Sequence, residues 1–122
     1  MPGIPDHLAG AASASTYHKI SGASTNADTV KASAGIVTGY YLVNTATEFR
    51  YVKLYNKASD PTVGTDTPRC VYGIPPESAA NMNFQTPIAF GTGIAIAIVT
   101  GISDADATAV AADDVAVTLH YV

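Results

Sequence analysis

From Thr16 onward, hydrophobic and polar residues alternate with a period of two, and turn-forming residues interrupt the alternation at short intervals. This alternation is typical of β-strands, because successive side chains point to opposite faces of a sheet. No amphipathic helical segment lies between the alternating stretches, which disfavours a parallel βαβ fold and favours an antiparallel β-sandwich or barrel. The pattern predicts eight short strands, near residues 16–21, 28–33, 36–44, 48–56, 69–75, 80–86, 93–100 and 115–122.

The number of apolar faces differs from strand to strand. In residues 93–100, isoleucine alternates with alanine or valine, so both faces are apolar and the strand is predicted to be central and covered on both sides. In residues 115–122, one face is apolar and the other is mixed, which predicts a half-exposed strand.

The strand at residues 48–56 carries the candidate contact surface. Val52 and Leu54 fit a core face, which leaves four residues on the opposite face: Phe49, Tyr51, Lys53 and Tyr55. Three aromatic rings around a lysine favour a protein-contact surface, because aromatic side chains are enriched at protein interfaces. The alternative is that these rings belong to the core of the second sheet.

The chain divides into an arm and one domain. Residues 1–15, MPGIPDHLAGAASAS, contain Pro, Gly, Ala and Ser without a repeating apolar position, and are predicted to form an extended N-terminal arm that orders against a neighbour. Residues 16–122 are predicted to form a single β-sandwich domain, since 122 residues leave room for one core.

Two long loops are predicted, at residues 57–68 and 101–114. The second loop is acidic and carries the best metal candidate, a weak calcium site at Asp104, Asp106, Asp113 and Asp114. The glycine and terminal glutamate of an EF-hand loop are absent, and a solvated acidic loop explains the same residues without a metal. We therefore expect no metal and no other cofactor.

Low charge is the main compositional feature. Charged residues make up 13% of the chain, about half the usual share in soluble proteins, and the net charge is −4. This balance disfavours nucleic acid as a partner, because six basic residues neutralise few phosphates. The sequence shows no signal peptide and no membrane segment, so synthesis in the cytoplasm is expected. Cys70, the single cysteine, is expected to be a small buried hydrophobe.

The sequence contains no recognisable catalytic motif. The only histidines are His7, His18 and His120, and none of them lies in a recognisable catalytic setting. His18 and His120 would approach each other if the first and last strands pair, although surface histidines are the simpler interpretation. We expect the protein not to be an enzyme.

Two segments carry a resemblance to a known class of proteins. YVKLYNKASDPTVGTDTP at residues 51–68 and IAFGTGIAIAIVTGISDADATAV at residues 88–110, followed by a short final strand, resemble small structural proteins from the virion modules of tailed bacteriophages. The resemblance spans about residues 20–122. It implies a β-sandwich, often of jelly-roll type, and it carries no catalytic residues.

The resemblance implies a capsid decoration or cement protein on the surface of the virion, with the major capsid protein as partner and typically a homotrimer. Low charge and strands that are apolar on both faces agree with self-association. A tail, neck or fibre-base component of the virion is the alternative within the same class. A carbohydrate-binding β-sandwich module is the alternative from another class, with Tyr40, Tyr41 and Tyr72 as its candidate platform.

Overall fold

The computed structural model describes residues 13–122, and within this range the chain is all-β with no helix. The predicted arm, residues 1–15, lies outside the described residues except for its last three. All eight predicted strands are confirmed, with ends that shift by a few residues. They are β1 (Ser15–Ile20), β2 (Asp28–Lys31), β3 (Gly35–Asn44), β4 (Arg50–Asn56), β5 (Cys70–Ile74), β6 (Ser78–Phe90), β7 (Ile94–Val99) and β8 (Val115–Tyr121).

The strands form two antiparallel sheets of four strands each. The first sheet has the order β1-β8-β3-β6, and the second has the order β2-β7-β4-β5. The pairing is nested along the sequence. The first strand pairs with the last, and each following pair lies inside the previous one: β1 with β8, β2 with β7, β3 with β6 and β4 with β5. Consecutive strands such as β1 and β2 therefore lie in different sheets, and the predicted β-sandwich is confirmed.

The core lies between the sheets, and β7 is its most buried strand. All six residues of β7 are fully buried, as its two apolar faces predict. Ile94, Ile96 and Ile98 belong to the main cluster between the sheets. Each fully buried side chain of this size contributes about 1.5–3 kcal/mol through removal of apolar surface from water.

The opposite face of β7 packs against a second, smaller cluster. Ala95 and Ala97 contact Tyr55 of β4, and Val63 from the loop 57–68 packs against them. The loops 57–68 and 101–114 also meet each other, since a Cβ on Gly64 would lie 3.3 Å from both the backbone oxygen of Ala105 and the side chain of Ala107. Gly64 adopts a φ of +91°, which disfavours any other residue there. Part of the outer face of the second sheet is thus covered by the protein's own loops.

Polar contacts connect the two sheets. Between the edge strands β1 and β2, the hydroxyl of Tyr17 donates a 2.6 Å hydrogen bond to Asp28. At the ends of two interior strands, Arg50 in β4 forms a 3.1 Å ion pair with Asp114, directly before β8. Both contacts are partly shielded from water, so they hold the sheets together more effectively than fully exposed pairs would.

Candidate functional site

Phe49 and Tyr51 form an exposed aromatic pair at the beginning of β4. Their rings are stacked, with centroids 6.1 Å apart and an interplanar angle of 20°. Phe49 is 47% exposed and Tyr51 is half-buried. The ring of Tyr51 lies over its strand partner Gly73 in β5, where a Cβ would be 3.0 Å from the ring. A glycine at this position therefore lets the ring lie close to the backbone, and the pair presents a fixed apolar surface to solvent.

The other two residues of the predicted contact surface are buried. Lys53 is 0% exposed and Tyr55 is 1% exposed, so the prediction that all four residues share one accessible surface is wrong for these two. The reason is that the loops 57–68 and 101–114 fold over this part of β4. The alternative interpretation, burial in a core, is correct for Tyr55, which packs with Ala95 and Ala97.

Lys53 fixes the acidic loop to the second sheet. Its ammonium group donates hydrogen bonds to the backbone oxygens of Ser103 and Asp106, the latter at 3.4 Å. Burial lowers the pKa of Lys53, and the carboxylates of Asp106 and Asp104 oppose this shift. The sequence places basic residues in and around β4 and acidic residues in the loop, and these opposite charges meet within one chain.

The four aspartates of the calcium candidate are not gathered into one site. Asp106 accepts a hydrogen bond from the backbone amide of Thr108, and Asp114 pairs with Arg50. Asp104 and Asp113 are exposed, and Asp113 occupies a turn position with a φ of +63°. Among residues 13–122, no group of three His, Cys, Asp or Glu side chains is placed to hold a metal ion. The acidic loop is instead shaped by its own hydrogen bonds and ion pairs.

The first and last strands pair, yet their histidines do not face each other. His18 in β1 is opposite Thr118 in β8, and its Nδ1 atom lies 3.2 Å from the Thr118 hydroxyl oxygen. His120 is opposite Thr16, two positions along the strand. Both side chains belong to the outer face of the first sheet. His7 lies outside the described residues.

The three tyrosines of the candidate sugar platform lie on different faces. Tyr40 is 9% exposed and packs in the core against Tyr72, with ring centroids 4.8 Å apart. Phe84 completes this aromatic cluster, and the half-buried Cys70 packs against the same core, as its expected role as a small hydrophobe implies. Tyr41 points the other way and is 47% exposed. The three rings therefore do not form one platform.

The outer face of the first sheet is a surface that sequence reasoning missed. Directly opposite residues in antiparallel strands project to the same side, so the register defines three rows of four side chains across the sheet. We call this surface the uncharged face. Its rows are Asn81, Tyr41, Thr118 and His18; Ala79, Val43, Ala116 and Ile20; and Asn83, Gly39, His120 and Thr16.

The uncharged face contains no Asp, Glu, Lys or Arg. The four strands of this sheet hold one such residue, Lys19, which is in register with the core residue Val117 and lies 3.8 Å from Asp28 of the second sheet. Within the described residues the face is accessible, since all its members except Gly39 are exposed or half-buried. The sequence does show that β3, β6 and β8 lack charged residues. It does not show the register that brings these strands together into one face.

A shallow depression of about 480 Å³ lies at one end of the uncharged face. It is formed where β3 ends and β6 begins, at the turn in which Glu77 adopts a φ of +51°. An acidic residue, Glu77, is therefore at the rim of the face. The lining residues are Val43, Asn44, Thr45, Glu77, Ser78 and Ala79.

No protein-family model, curated protein or solved structure matches this chain. Within residues 13–122, no helix is present that could span a membrane. The candidate functional site consists of the aromatic pair, Phe49 and Tyr51, and of the uncharged face. Both are accessible surfaces, and neither brings together a nucleophile, a base and an orienting group within the described chain.

Proposed function

We propose that this protein is a non-enzymatic structural component of a virion, and specifically a capsid decoration or cement protein of a tailed bacteriophage. The observation that carries this proposal is the exposed, stacked pair of Phe49 and Tyr51. Rings that are fixed in place and exposed cover a large contact area at a low cost in conformational entropy. The resemblance of residues 51–68 and 88–110 to virion proteins supplies the biological setting.

We also infer that the sandwich is a jelly roll. A jelly roll consists of eight strands in two sheets with two Greek keys. The support is the nested pairing of β1 with β8, β2 with β7, β3 with β6 and β4 with β5, with the paired strands alternating between the sheets. In this arrangement the aromatic pair lies on the second sheet, and within residues 13–122 no loop covers the first sheet's outer face.

The proposed mechanism is stabilisation by mass action. A protein that binds the assembled shell and not its free subunits lowers the free energy of the assembled state by the free energy of binding. Phe49 and Tyr51 contact the major capsid protein on the outside of the head, and the decoration protein itself assembles as a homotrimer. Buried aromatic residues commonly dominate the binding energy of such contacts, so two rings are sufficient as an anchor.

The proposed shell contact is tested with a Phe49→Ser variant. Purified capsids that lack the protein are mixed with wild type or variant, and the bound fraction is measured by quantitative gel analysis. We expect at least tenfold weaker binding, because loss of an aromatic anchor at an interface commonly costs more than about 1–2 kcal/mol. Ile102→Ser is the matched control, since Ile102 is another exposed large hydrophobic residue, at 68%.

Two results would contradict the proposed contact. Equal occupancy by wild type and Phe49→Ser would remove the aromatic pair from the mechanism. An equal loss with Ile102→Ser would show that the effect reflects general surface hydrophobicity and not a defined contact. A tail, neck or fibre-base position is the alternative, and a low copy number per particle, set by the symmetry of the tail, would identify it.

A further inference from the structure

The distribution of charge over the molecule is strongly uneven. Each chain carries a net charge of −4, so two copies repel each other on average. The loops that cover part of the second sheet carry the acidic side chains of Asp60, Asp66, Asp104 and Asp106, whereas Asp113 and Asp114 lie at one end of the first sheet, directly before β8. The uncharged face lies on the other side of the sandwich and carries none.

We propose that the uncharged face is the surface through which copies of this chain bind each other. The inference rests on the self-association part of the proposed function and names the surface that performs it. Contact through the loops would bury charged groups of both copies, such as the ion pair of Lys57 with Asp66, whereas contact through the uncharged face buries no formal charge on either side. A second copy is therefore accepted at this face with the smallest cost of removing charged groups from water.

A second copy also fits the face better than a charged partner does. Any charged group on another protein would lose its hydration at this surface and would meet no opposite charge. A copy of the same chain supplies a face of matching composition. Depletion of charge is the main compositional signal of interface centres, where Tyr is enriched. Tyr41 occupies the middle of one row, 47% exposed, between Asn81 and Thr118.

The uncharged face is compatible with two symmetries of the assembly, which the native mass distinguishes. Two faces that meet directly are related by a two-fold axis and give a dimer. Three copies with these faces turned toward a common axis give the trimer of the proposed function. In both arrangements, a charge placed on the face lies at the boundary between subunits.

The test is analytical ultracentrifugation of the full chain and of variants that add one charge. Asn81→Asp changes the shape of the exposed side chain very little and places a carboxylate on the face. Tyr41→Glu places one nearer the centre. The matched control is Asn56→Asp on β4 of the second sheet, where Asn56 Oδ1 accepts a 2.8 Å hydrogen bond from the Thr92 amide that a carboxylate retains. Circular dichroism verifies that each variant is folded.

We expect the wild type and Asn56→Asp to have a native mass two or three times the chain mass of 12.5 kDa. Asn81→Asp is expected to raise the dissociation constant at least tenfold, and Tyr41→Glu to give folded monomers. A wild type that stays monomeric at all concentrations would overturn the inference, and equal weakening by Asn81→Asp and Asn56→Asp would do the same. The virion proposal is decided separately, by binding of Phe49→Ser to capsids.

Discussion

The hydroxyl group of Tyr55 is a buried polar atom without a hydrogen-bond partner among the described residues. Its ring packs on Ala95 and Ala97, and burial, with the nearby Asp66 and Asp104 carboxylates, raises the pKa of this tyrosine. A buried hydroxyl that lacks a partner has lost its hydrogen bonds to water and gains none in return. The ring therefore stabilises the contact between sheet and loops, while the hydroxyl opposes it.

Replacing Tyr55 by Phe is expected to stabilise the protein. Removal of the unpartnered hydroxyl should raise the free energy of unfolding by about 1 kcal/mol, because the cost of its desolvation disappears. Urea unfolding monitored by circular dichroism measures the change. Tyr17→Phe is the matched control, since the Tyr17 hydroxyl donates a 2.6 Å hydrogen bond to Asp28 and its removal is expected to lower the free energy of unfolding. A Tyr55→Phe variant less stable than wild type would contradict the structure at this site.

At the scale of elements, the loops decide which parts of β4 are accessible. The loop 57–68 is anchored by Asp66, which accepts a 2.6 Å hydrogen bond from Lys57 and a 2.7 Å hydrogen bond from the Thr62 amide. These two contacts, with that from Lys57 the larger, lower the pKa of Asp66 below its ordinary value of 3.8. The loop 101–114 is anchored by Lys53 in a similar way.

The Asp66 anchor should weaken in acid. Because the folded-state pKa is lowered, its contribution to stability is fully present above the ordinary pKa and is lost as the pH falls through the lowered value. Nuclear magnetic resonance of the Thr62 amide should show a transition with a midpoint below 3.8 in the wild type and none in Asp66→Asn. A wild-type midpoint at or above 3.8 would contradict the anchor.

Periodicity predicted the strands but not what covers them. Alternation showed that Lys53 and Tyr55 share a face of β4 with Tyr51, and this is correct. It could not show that two loops fold over one end of that face, because loop conformation depends on contacts such as Lys53 with Ser103, fifty residues away. The same reason explains the calcium candidate, whose aspartates share one loop in the sequence, whereas in space Asp106 bonds to Thr108 and Asp114 pairs with Arg50.

At the scale of the whole molecule, the two sheets have different surroundings. The fold class, the strand number and the central position of β7 followed from local patterns. The uncharged face did not, because His18 and Thr118 are a hundred residues apart and become neighbours through the pairing of β1 with β8. The register thus gathers uncharged residues on the outer face of the first sheet, where we place the contact between subunits.

Electron cryomicroscopy of purified phage particles, combined with quantitative mass spectrometry of their proteins, tests the central claim most directly. A decoration protein should appear as density on the outside of the head, in many copies arranged with the symmetry of the shell. Its copy number should be comparable with that of the major capsid protein. Particles in which the protein is absent from the head surface, or present in a few copies at the tail or neck, would contradict the account.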